Sequence, residues 1–60
     1  MPKMDYADYK NVVVTHIKQI SNCKNPFDLA DKFDERINSG WRFGDLCIDV
    51  AKDIISKALS

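Results

Sequence analysis

The sequence predicts an all-α fold, a small up-down-up bundle of three helices near residues 5–21, 26–38 and 45–59. Three observations carry that prediction. Apolar residues recur in pairs every four positions through the last quarter of the chain, at Leu46–Cys47, Val50–Ala51, Ile54–Ile55 and Ala58–Leu59, the spacing of a helix face. The stretch Asn25-Pro26-Phe27-Asp28 has the composition of a helix start: Asn is a favoured N-cap, and proline at the first helical position has its φ already set and no N–H to lose. The one β-prone run, Val12-Val13-Val14, has no apolar alternation on either side, and a lone strand would have nothing to pair with.

The elements follow in order. Residues 1–4 are expected to fray. Tyr6, Tyr9, Val13, Ile17 and Ile20 recur at three or four residues and form one stripe of a first helix, with Asp5 as N-cap and the valines as its weakest section. Ser21-Asn22 should stop it. The second helix carries Leu29, Ala30, Phe33 and Ile37 on one stripe, with Asp28 in its first turn and Arg36 in its last, both of the sign the helix dipole favours. Ser39-Gly40 should end it, Gly40 taking the left-handed position, and Trp41-Arg42-Phe43-Gly44 should form a connector. Asp45 is the expected N-cap of the third helix. Its apolar arc covers about 220° with Ile48 included, against the roughly 100° that a surface helix needs, so this helix requires neighbours on more than one side.

The totals bound the class of protein. Sixty residues make one helical domain at most, 1–60, and a domain that short buries only about 60% of its unfolded surface, which makes oligomerisation a common aid. With 45% hydrophobic and 30% charged residues the composition is that of a globular chain. Nine basic residues balance nine acidic ones, leaving no long-range pull toward nucleic acid or an anionic membrane. Apolar runs never exceed three residues, and Lys3, Asp5, Asp8 and Lys10 interrupt the start, so neither a membrane span nor a secretory leader is expected. In the bundle Cys23 and Cys47 fall at opposite poles about 18 Å apart, too far for a disulfide. These features read as a cytoplasmic protein with reduced thiols.

No residue set announces catalysis, and no cofactor or metal is expected. His16 stands alone at the edge of the first stripe; with Cys23 and Cys47 it is too irregularly spaced for zinc. Cys47 near a helix start can in principle have a lowered pKa, but its place on the apolar arc reads as a small core residue. There is no glycine-rich phosphate loop, nucleophile elbow or paired-histidine zinc motif. A helix-turn-helix would present Asp45, Leu46, Cys47, Ile48 and Asp49 to DNA, with two carboxylates facing phosphates and no side chain suited to a base edge, so direct nucleic-acid binding is not expected.

Three surfaces remain. Trp41, Arg42 and Phe43 gather with Tyr6 and Tyr9 at one pole, either as a plug closing the bundle or as a binding surface of the aromatic-and-arginine kind. Ile48, Ile55 and Leu59 form the outer edge of the wide arc, the part hardest to cover within one chain and so a surface for self-association. Asp28, Asp31, Asp34 and Glu35 make an acidic face, solvated with Asp28 paired to Lys32, or else contacting a basic partner. The expectation is a small non-catalytic module that binds another protein, an adaptor or inhibitor of the kind phages and plasmids encode, and that forms a homodimer. The alternative is a regulator of nucleic-acid transactions, acting by weak DNA contact or by an acidic face that occupies a DNA-binding protein.

Overall fold

A computed structural model describes residues 4–22 and 24–59. The frayed start expected over 1–3 and the placement of Cys23 lie outside the described residues. Met4, expected to fray with them, accepts a hydrogen bond from the Trp41 indole. Among the described residues the chain is all-α, but it has four helices where three were expected: α1 (Tyr6–Ser21), α2 (Pro26–Lys32), α3 (Asp34–Phe43) and α4 (Cys47–Leu59).

Helix α1 begins and ends where its residues predict. Asp5 is at the N-cap with extended backbone, although its side chain makes no capping bond. Asn22 closes the helix in the left-handed region at φ 55°, its N–H donating to Lys18 O, a conformation that Asn tolerates better than most residues. Val13 and Val14 are buried, so packing overrides their modest helix propensity.

The expected second helix is two. Asn25 and Pro26 start α2 as N-cap and first residue, but the chain breaks at Phe33, with φ −110° and ψ 31°. Phe33 N–H donates to Leu29 O to finish α2, and Phe33 O accepts from Arg36 and Ile37 to open α3. Arg36 therefore lies in the first turn of α3 and not in a last turn. The second correction is at Ser39-Gly40, which does not end the helix: α3 continues through Trp41 and Arg42 to Phe43. Gly40 is buried against α4, where a β-carbon would stand 2.5 Å from Val50 Cγ2 and 2.9 Å from the Tyr9 hydroxyl. The left-handed role belongs to Gly44 instead, at φ 78°, and both Gly44 and Asp45 donate their N–H to Gly40 O. Helix α4 then starts at Cys47, one residue later than an Asp45 N-cap requires; its first turn closes from Val50 N–H to Leu46 O at 3.1 Å.

One core joins the four helices. Tyr9, Val13, Val14 and Ile17 of α1 meet Ala30 of α2, Ile37 of α3, and Val50, Ala51 and Ile54 of α4. The pairing of α1 with α4 is the most extensive. Tyr9 donates its hydroxyl to Asp45 O at 2.8 Å, which puts the starts of α1 and α4 at the same end. Lys10 meets Asp31 and Tyr6 meets Asp34, so α2 and α3 together descend beside α1. Arg36 clasps α3 to α4, its Nε 2.7 Å from Asp53 and its Nη1 3.4 Å from Asp45. The molecule measures 34 × 17 × 16 Å. Among the described residues no helix is long and apolar enough to cross a membrane.

Candidate interaction site

The pole where α1 begins and α3 hands over to α4 carries three of the residues singled out from the sequence, and the fold divides them. Trp41 turns inward. Its ring meets Tyr6 edge to face, with centroids 5.5 Å apart and planes at 64°, an arrangement favoured by the ring quadrupoles. Its Nε1–H donates to Met4 O at 2.6 Å. Tyr6 in turn donates to the Asp34 carboxylate. Burial, reinforced by that acceptor, pushes the Tyr6 phenol up to about 12. Tyr9 is buried, and burial raises its phenol too. Tyr6, Tyr9 and Trp41 thus close the end of the core.

Phe43 and Arg42 go the other way. Phe43 is 80% exposed and Arg42 is exposed in the last turn of α3. Just past Gly44, Leu46 is 66% exposed. Its four-residue spacing from Val50 assigns it to the buried arc, but it precedes α4 and points away from the core; only the true start of α4 could have revealed this. The two apolar side chains flank a corner that is firmly held. Asp45 between them donates its N–H to Gly40 O, accepts from Tyr9 through its carbonyl and meets Arg36 through its carboxylate. Arg42 and Phe43 also line a shallow groove of about 300 Å³ with Glu35 and Asn38.

The other candidate residues are dispersed. Ile48, at 37% exposure, is the second residue of α4 and close to the corner in sequence, whereas Ile55 is half-buried against the core and Leu59 is 83% exposed at the far end of the helix. Exposed Lys52 stands between Ile48 and Ile55 on the same side of the helix, so the edge is not one continuous apolar stripe. The acidic quartet is split by the break at Phe33, with Asp28 and Asp31 on α2 and Asp34 and Glu35 on α3. Lys10 binds Asp31 at 2.7 Å and Asp34 at 3.2 Å. The Tyr6 hydrogen bond, with Lys10 beside it, holds the Asp34 carboxyl below its ordinary range. Among the described residues no ion pair joins Asp28 to Lys32.

The titratable groups supply little chemistry. His16 is half-buried on α1. Cys47 is a free thiol packed against the core, and burial pushes its pKa up, opposite to the activation that a helix start can give. Among the described residues no three His, Cys, Asp or Glu side chains converge as a metal site would require. No protein-family model, curated protein or solved structure matches this chain.

Proposed function

We propose that this chain is a non-catalytic protein–protein interaction module, of adaptor or inhibitor type, and that the α3–α4 corner is its binding element. Phe43 and Leu46 would enter apolar pockets on the partner, and Arg42 would supply the polar contact at their side. The observation that carries this reading is the exposure of two large apolar side chains on a backbone corner pinned by three separate contacts to Asp45. A rigid element loses little freedom on binding, so more of its contact energy appears as affinity. The same corner together with Ile48 offers a second copy an apolar surface, which is the reading we adopt for self-association.

Sedimentation equilibrium in reductant tests the second part. The chain should dimerise, and Phe43→Ser with Ile48→Ser should return it to a monomer while leaving its helical circular dichroism intact. A wild-type monomer at high concentration overturns self-association and leaves partner binding to be judged by Phe43→Ser with Leu46→Ser, which should abolish recovery of whatever protein the wild type retains. The acidic face is the weaker binding surface, because Lys10 already engages Asp31 and Asp34.

A further inference from the structure

The half of the molecule away from the corner holds a second surface, independent of the function just proposed. Between Asp8 and Asp28 the chain contains no Asp or Glu, but it does contain Lys18 and Lys24. The described residues that line one open groove of about 1090 Å³, between the C-terminal half of α1 and the entry to α2, all come from this stretch. Val14 and Pro26, both buried, form its apolar floor, and Phe27, 60% exposed, forms a wall. Lys18, Lys24 and Gln19 stand around it, and no carboxylate lines it. Lys10, Arg36 and Lys57 are all engaged by carboxylates; among the described residues no ion pair engages Lys18 or Lys24.

A groove with an apolar floor, an aromatic wall and two unengaged cations is complementary to a large apolar side chain flanked by negative charge. We propose that it docks an acidic segment of a partner protein, seating one Leu or Phe against Val14, Pro26 and Phe27 while neighbouring Asp or Glu residues meet Lys18 and Lys24. A nucleic-acid strand fits less well. Two lysines release few counterions, and Phe27 alone among the described lining residues offers a base a ring to stack on.

The test is a titration of the full-length, isotope-labelled chain followed by amide chemical shifts, in reductant and at physiological salt. The probes are a short blocked peptide of Glu, Asp, Leu and Phe, its counterpart with Lys at every acidic position, and oligothymidine. The acidic peptide should produce saturable shifts at Lys18, Gln19, Lys24 and Phe27. Lys18→Glu with Lys24→Glu should weaken it about tenfold or more, and Phe27→Ser should remove the saturable component. These side chains are exposed, so the variants keep the fold, which circular dichroism verifies. Phe43→Ser with Leu46→Ser should leave this titration unchanged, which separates the groove from the corner. The proposal is overturned if the acidic peptide gives no saturable shift or if the lysine peptide or oligothymidine binds as well. It is equally overturned if the groove amides shift with protein concentration alone, because the occupant is then a second copy.

Discussion

Val50 fills the space that a β-carbon on Gly40 would need; the two would stand 2.5 Å apart. Gly40→Ala gains about 1 kcal/mol of helix propensity but forces α3 away from α4 and crowds the Tyr9 hydroxyl, and overpacking of this kind costs about 1–3 kcal/mol. The expected result is a net loss of up to about 2 kcal/mol in urea unfolding, with Tm falling roughly 4–8 °C per kcal/mol. Gly44→Ala meets no atom within 4 Å and is strained only by its φ of +78°, so it should cost about 1 kcal/mol and leave the Tyr9 environment unchanged.

Trp41 and Phe43, two positions apart, should respond differently to truncation. Trp41→Ala removes the Tyr6 ring contact and the bond to Met4 O. It should destabilise by about 2–3 kcal/mol, less than the 3–5 typical of a fully buried aromatic, because Trp41 is only half-buried. Phe43→Ser, at a side chain 80% exposed, should change stability by less than about 0.5 kcal/mol. Equal losses from both in chemical denaturation would place Phe43 in the core and remove it as a binding anchor.

Acid should loosen the fold through two carboxylates. Asp34, held by Tyr6 and Lys10, and Asp53, held by Arg36 and Lys57, both have their pKa lowered from the ordinary 3.8. A lowered folded-state pKa contributes stability that is present above the unfolded value and lost as pH falls through the folded one. The urea midpoint should therefore decline as pH drops below about 4, and Asp34→Asn and Asp53→Asn should each flatten that decline. At neutral pH the Asp53 substitution should have a modest effect, since that side chain is 38% exposed and solvent screens the pair.

Alkali acts through Tyr6 in the opposite sense. Its phenol is raised from 10.0 to about 12, so the fold prefers the neutral form. That stability is present below pH 10 and disappears as pH rises from 10 toward 12. Absorbance of tyrosinate should show the Tyr6 phenol ionising well above 10, and Asp34→Asn should lower the Tyr6 transition only in part, because burial is the larger cause and the Asp34 bond the second. Complete return to 10 on that substitution would make the hydrogen bond the dominant cause.

Much of this architecture is legible in the residues themselves. Asn25-Pro26 starts a helix, Asn22 ends one, and the four-residue apolar rhythm after Asp45 marks the last. The break at Phe33 is not legible, because no Gly or Pro announces it and Phe33 fits the apolar stripe on either side. Gly40 and Gly44 are equally good helix terminators by composition; only the approach of Val50 explains why the first stays helical and the second turns. The helical course through Gly40 also decides part of the site. In a connector Trp41, Arg42 and Phe43 would share one fate, whereas on a helix their successive positions point in different directions, Trp41 to the core and Phe43 to solvent. The exposure of Leu46 is illegible for a related reason, since its four-residue spacing from Val50 fits the apolar face although it lies before the start of α4.

The pairing of α1 with α4 has a consequence for how the protein is made. Its largest shared interface joins the segments farthest apart along the chain, so a long closure must occur before most of the core can form. Helices α1 to α3 alone leave Tyr9, Val13 and Ile17 without Val50, Ala51 and Ile54. On the ribosome, then, the core cannot close until the residues of α4 have been added, because Val50, Ala51 and Ile54 supply one of its sides.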